Sequence, residues 1–193
     1  MADKRPELIL IRHAPVAVPG VLAGRTDFPA RLDAESVARV RAGLPAVAAV
    51  VASPALRCVA TAEALFPDME VAQDARLWEQ DFGEMDGTAL ADLPDLGPLD
   101  GAALAAHRWP GGESFADLCV RVEAPLLAAC RSAEAVGKVA VVVHAGVIRA
   151  GLALALGTVP GALAFEVAPL SVSRLGVWQG RPVAVRCVNG GGV

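Results

Sequence analysis

The apolar positions of this chain gather into short unbroken runs separated by stretches of mixed polarity. Leu8-Ile9-Leu10-Ile11, Val47 to Ala52 and Val139 to Val143 are runs of aliphatic residues with no polar interruption. A run without alternation marks a strand covered on both faces, as in a parallel α/β sheet. Strands are predicted near residues 8–13, 47–53, 69–73 and 138–144, with a terminal hairpin of residues 164–178 and 182–188 around Gln179-Gly180-Arg181. Helices are predicted near residues 32–43, 55–65, 113–134 and 146–156. This alternation gives a three-layer α/β/α sandwich around a mostly parallel central sheet. Ser114, with Asp117 three residues on, reads as the N-cap of one helix. The stretch from Glu84 to Pro110 has weak periodicity and is expected to cover the pocket at the strand ends. No repeat or linker divides the chain, so residues 1–193 are expected to form a single domain.

Two of the aliphatic runs stop at residues capable of chemistry. Leu8 to Ile11 ends at Arg12-His13, and Val139 to Val143 runs into His144-Ala145-Gly146. The carboxyl ends of parallel strands are where an α/β sheet holds its ligands. The run to Ala52 is followed by Ser53-Pro54-Ala55-Leu56-Arg57 and then Thr61-Ala62, a helix with an arginine in its first turns. Leu77-Trp78-Glu79 precedes Gly83, and Gly111-Gly112-Glu113-Ser114 begins a further helix. Each of these has an ordinary structural reading when taken alone. Arg57 reads equally as a solvated helix charge, Glu79 as one loop acid among Asp74, Asp81, Glu84 and Asp86, and His144 as a satisfied core histidine. His107 reads as a loop residue.

Taken together and in this order, from Leu8 to about Gly157, the segments resemble the histidine phosphatase superfamily, the phosphoglycerate mutase-like proteins. The resemblance implies a phosphoglycerate mutase-like fold and a phosphomonoesterase that acts on a small-molecule phosphate ester through phosphohistidine. It makes His13 the nucleophile, sets Arg12, Arg57 and His144 around the phosphoryl oxygens, and makes Glu79 the proton donor to the leaving group. Gly24-Arg25-Thr26-Asp27 resembles a segment of the α-ribazole phosphatase branch. That likeness makes α-ribazole 5'-phosphate a candidate substrate, and Arg25 and Thr26 candidate substrate contacts. The chain departs from the family at Ala14, where glycine is usual, at Pro15-Val16, where a polar pair is common, and at Cys58, where alanine is preferred. Ala14 requires a backbone that avoids positive φ. None of these changes removes a group that the chemistry needs.

Phosphoryl transfer through a loose transition state leaves charge on three equatorial oxygens, which the planar forks of arginine suit. Arginines beside His13 also disfavour its imidazolium and leave a neutral ring. The stretch from Gly20 to Thr26 differs from a P-loop: it has three residues between its glycines, Arg25 where lysine belongs, and Pro29 close behind. It reads as a loop over the site.

Composition narrows the alternatives. A net charge of −4 and a pI near 5.4 argue against a broad nucleic-acid surface. Cys58, Cys119, Cys130 and Cys187 lack metal-ligand spacing, and the three histidines are widely separated, so neither metal nor other cofactor is expected. The polar Met1 to Glu7 does not read as a secretion signal, and His144 and Arg149 interrupt the apolar stretch from Val139 to Leu156, so no membrane partner is expected. A cytoplasmic protein with reduced thiols follows. Two competing readings are a non-catalytic phospholigand-binding protein, which needs neither nucleophile nor acid, and a phosphoglycerate mutase, whose substrate-enclosing insertions the short chain lacks.

Overall fold

The computed structural model describes residues 5–191. Its centre is one six-stranded sheet in the order β3-β2-β4-β1-β5-β6. In chain order the elements are β1 (Glu7–Arg12), α1 (Ala34–Gly43), β2 (Ala49–Ala52), α2 (Leu56–Leu65), β3 (Val71–Gln73), α3 (Gly101–Ala106), α4 (Phe115–Val136), β4 (Lys138–Val143), α5 (Ala145–Leu156), α6 (Val159–Ala162), β5 (Val172–Trp178) and β6 (Arg181–Gly190). Strands β1 to β4 pair in parallel, and β5 runs antiparallel to both β1 and β6.

The unbroken aliphatic run of β1 has a direct cause. Leu8 and Leu10 pack into the core beneath α4 and α5, while Ile9 and Ile11 enter the core beneath α1 and α2. All four are fully buried, each contributing roughly 1.5–3 kcal/mol. At the start of α4 the Ser114 hydroxyl accepts the Asp117 N–H, and the Asp117 carboxylate accepts the Ser114 N–H, a reciprocal capping box. The β5–β6 turn places Gln179 at φ 51° and Gly180 at φ 69°, the paired positive angles of a type I′ hairpin.

Three expectations require correction. The first arm of the hairpin begins at Val172 rather than 164, because residues 159–162 form α6 and the chain then turns at Leu170, φ 57°. The helices α3 and α6 went unpredicted, being six and four residues long, too short to display a 3.6-residue period. The stretch from Glu84 to Pro110 covers the pocket only near its start, where residues 87–90 hydrogen-bond to the Gly20–Leu22 loop on the pocket lining. Its helix α3 packs on α4 and α6, and Leu90 alone from that stretch reaches the pocket wall. Among the described residues no helix is long and apolar enough to cross a membrane.

Candidate active site

The sheet order β2-β4-β1 brings three strand ends side by side and so gathers Ser53, His144 and His13. Arg12 lies in register with Val143, and the His13 amide donates to Val143 O at 2.9 Å. The His13 ring places Nδ1 2.6 Å from Ala14 O. A carbonyl only accepts, so Nδ1 carries the proton and Nε2 keeps its lone pair. Ala14 is buried and is not among the residues at positive φ, as its side chain requires. Its amide donates to Thr61 Oγ1 at 2.9 Å, and that hydroxyl donates to Arg57 O at 2.6 Å. Burial, reinforced by Arg57 and Arg12 against the weaker pull of the Ala14 carbonyl, lowers the His13 pKa to about 3. The neutral ring expected from the arginines is therefore owed first to desolvation.

His144 is the N-cap residue of α5 and has no exposed surface. Its Nε2 lies 2.9 Å from Ser53 Oγ, and its ring meets His13 edge to face at 5.2 Å between centroids. Burial first, and then the nearness of His13 and of the Arg57 charge, hold its pKa well below the ordinary histidine value. Cys58, the departure from the family's alanine, sets its sulfur 3.5 Å from His144 Nε2, and burial pushes that thiol's pKa up.

Among the described residues Arg12 and Arg57 each keep an unpaired donor. Arg12 gives Nη1 to Val167 O at 2.6 Å, and its Nε is buried without a partner. Arg57 is wholly buried and gives Nη2 to Gly24 O (2.7 Å) and Ala23 O (3.3 Å) and Nη1 to Thr26 O (3.1 Å), while its Nε too is unpartnered. A buried N–H without an acceptor is costly, and an anionic oxygen would satisfy it. The Trp78 ring stacks on His144 at 11° and lies 5.8 Å from the guanidinium carbon of each of Arg57 and Arg25, within cation–π range.

Glu79 is held by backbone on both oxygens. Oε1 accepts from Gln80 N at 2.9 Å and Oε2 from Gly146 N at 3.1 Å. A methyl group at Gly146 would collide with Glu79 Oε1 and with Leu118, which is why glycine stands there. The segment carrying Glu79 is pinned by Arg121 of α4, which donates to Arg76 O (2.6 Å), Trp78 O (3.0 Å) and Glu79 O (3.0 Å). Glu113 pairs with Arg121 and also accepts from Asp81 N at 3.0 Å. Sequence reading missed Arg121 because nothing local signals a helix arginine that reaches three distant carbonyls.

Arg12, His13 and Glu79 line one pocket of about 420 Å³. Arg57 and His144 are fully buried and are not part of its wall. Val16, Val21, Leu22, Phe82 and Leu90 supply an apolar wall, and Arg31 and Arg149 are also on the lining. The stretch from Gly20 loops over the site as expected, contributing Gly20 to Ala23. Arg25 and Thr26 stand outside the lining. The Arg25 guanidinium lies over Trp78, 3.9 Å from Glu113, and the Thr26 carbonyl accepts from Arg57. Asp86 fastens this loop by accepting the N–H groups of Gly24, Arg25 and Thr26. Among the described residues no group of three or more His, Cys, Asp or Glu side chains is placed to hold a metal ion.

His13, with its pKa lowered by burial, lines the pocket together with the Arg12 guanidinium and the Glu79 carboxyl group, and Arg57 is buried outside that lining with its Nε unpartnered among the described residues. The family model of the histidine phosphatase superfamily, branch 1, matches residues 8–190, and the chain belongs to that family, a family of phosphatases. Among solved structures, mycobacterial glucosyl-3-phosphoglycerate phosphatase superposes with a TM-score of 0.80 at 22% identity, covering 95% of this chain and 98% of that one. The α-ribazole phosphatase of Shigella flexneri gives 0.77 at 23% identity, covering 97% and 98%. A phosphoserine phosphatase variant of Entamoeba histolytica in complex with phosphoserine gives 0.79 at 20% identity, covering 96% and 97%. At these identities the likeness establishes the phosphoglycerate mutase-like α/β fold. A search of curated proteins found no match.

Proposed function

We propose that this chain is a metal-independent phosphomonoesterase that hydrolyses a small phosphorylated metabolite through a phosphohistidine intermediate on His13. The observation that carries this reading is the His13 ring itself, on a residue that lines the pocket: Nδ1–H is tied to Ala14 O, and Nε2 has no hydrogen-bond partner among the described residues. Nε2 attacks phosphorus, the ester P–O bond breaks, and Glu79 gives its proton to the departing alkoxide. Glu79, now a carboxylate, takes a proton from a water that attacks the phosphorus of phosphohistidine. The P–N bond then breaks and inorganic phosphate leaves. Arg12 and Arg57, with the neutral His144, hold the equatorial oxygens through both steps, which is where guanidinium donors contribute most.

The Gly24-Arg25-Thr26-Asp27 segment supports α-ribazole 5'-phosphate as one candidate among the substrates. The test is release of inorganic phosphate from a panel of phosphorylated metabolites that includes this ester, with and without EDTA. Turnover that survives EDTA is expected. Loss of turnover in EDTA with recovery on adding magnesium or zinc would overturn the mechanism, and saturable binding without release would favour a phospholigand-binding protein.

A further inference from the structure

The phosphoryl chemistry engages Arg12, His13 and Glu79, yet the same pocket carries charge that this chemistry does not use. Arg149 lies four residues after Ala145 on α5, so the two share a helix face, and both line the pocket. Its Nε donates to Phe165 O at 2.9 Å, which is its one hydrogen bond among the described residues, and no carboxylate pairs with it. Glu166, the acid beside that carbonyl in the chain, is exposed and makes no ion pair there. Arg12 gives one N–H to Val167 O. The 165–167 segment therefore anchors both guanidiniums and leaves the Nη1/Nη2 edge of Arg149 without a protein acceptor. Other arginines make close ion pairs, Arg76 with Asp74, Arg108 with Asp117 and Arg121 with Glu113, whereas Arg149 lines the pocket without one.

Arg57 lies 3.9 Å from Asp27, whereas Arg149 and Arg31 bring two further guanidiniums to the pocket lining with no ion pair among the described residues. The free Nη1/Nη2 edge fits the two oxygens of a planar carboxylate. The wall of Val21, Leu22 and Phe82 offers apolar surface to the carbon skeleton between the two anions. Resting on the phosphomonoesterase reading of this site, we infer that Arg149 binds a carboxylate carried by the organic half of the substrate, so that the preferred class is acidic phosphate monoesters. An uncharged alcohol half would leave that guanidinium facing water or hydrocarbon.

The test measures binding without turnover. Carboxyalkylphosphonates with two to five carbons between phosphorus and carboxyl are titrated calorimetrically beside the alkylphosphonates of equal length. Their P–C bond does not hydrolyse. At the best chain length the wild type is expected to bind the carboxylated ligand about tenfold more tightly or better, a ratio that shrinks with added salt. In Arg149→Met the ratio should fall toward one. Arg149→Lys, which keeps the charge and loses the fork, should retain part of it and serves if the Met variant does not fold. A wild-type ratio near one at every length, or a ratio undiminished in the folded variants, would overturn the assignment. Phosphate release from the corresponding esters reports separately on the phosphatase reading: discrimination without turnover upholds the carboxylate site and rejects the phosphatase, and turnover without discrimination does the reverse.

Discussion

The floor of the pocket and its loop wall are held in place by different means. On the floor, Arg12 and His13 are set by the strand register itself, Arg12 opposite Val143, with the His13 amide on Val143 O and the buried His144 ring against that of His13. On the wall, Glu79 sits outside regular structure, and its segment keeps its place through the Arg121 side chain and the Gly146 amide. A floor fixed by a buried sheet resists change at any one neighbour. A wall fixed by one guanidinium on three carbonyls depends on that residue, and the two regions should therefore fail differently under substitution.

The largest effect is expected on the floor. His13→Ala should reduce turnover by roughly 10⁴ to 10⁶, the scale seen when a covalent nucleophile is removed. Its circular dichroism should match the wild type, because His13 makes no core contact that the sheet requires. Near wild-type phosphate release would break the account of the floor.

On the wall, Glu79→Gln should slow phosphoenzyme formation by roughly 10² to 10⁴ with an alkyl phosphate and far less with p-nitrophenyl phosphate, whose phenolate leaves without a proton. Bursts measured by rapid quench give the comparison. Equal slowing of both would make Glu79 a positioning residue and move the proton donor to Asp81, Glu84 or water.

Arg121→Met sharpens the contrast, because Arg121 is not on the pocket lining and holds the segment that carries Glu79. A misplacement on the order of 1 Å costs about 10² in rate, so the burst should slow by up to about that factor with the alkyl ester and less with the aryl one. A uniform loss with both esters would mean that Arg121 supports the whole site.

The smallest effect concerns pH. His13 has a folded pKa near 3 against about 6.5 when unfolded, so the unfolded chain binds more protons between those values. Stability is fully present above pH 6.5 and declines as pH falls toward 3, with His13 contributing a loss of about 2–3 kcal/mol at pH 4.5. Chemical denaturation of His13→Asn should show a correspondingly flatter dependence between pH 4.5 and 7. An NMR titration of the folded wild type that gave the His13 ring a midpoint near 6.5 would contradict a ring held neutral by burial.

The same contrast explains what could be read from the chain. Arg12-His13 and His144 are legible because an aliphatic run ending in a functional residue is a local pattern, and the sheet's hydrogen-bond register then brings the ends together. Ser114 with Asp117 and Gln179-Gly180 are local too, and the capping box and the tight hairpin formed as expected. The supports of the wall are not local. Arg121 lies 42 residues from Glu79, Asp86 lies 62 from Gly24, and Thr61 lies 47 from Ala14. No spacing rule announces such partners. The short helix α3 was missed for another reason: six residues close too few turns to show a period.

The most direct test of the central claim is to trap the intermediate. Wild-type protein mixed with a labelled ester under single-turnover conditions and quenched in alkali should carry a phosphoryl group that is stable to base and lost in acid. Mass spectrometry of the alkaline digest should place it on His13, and His13→Ala should lack it. A resolved burst with no phosphoprotein, or a phosphoryl group that persists in the variant, would contradict the phosphohistidine mechanism.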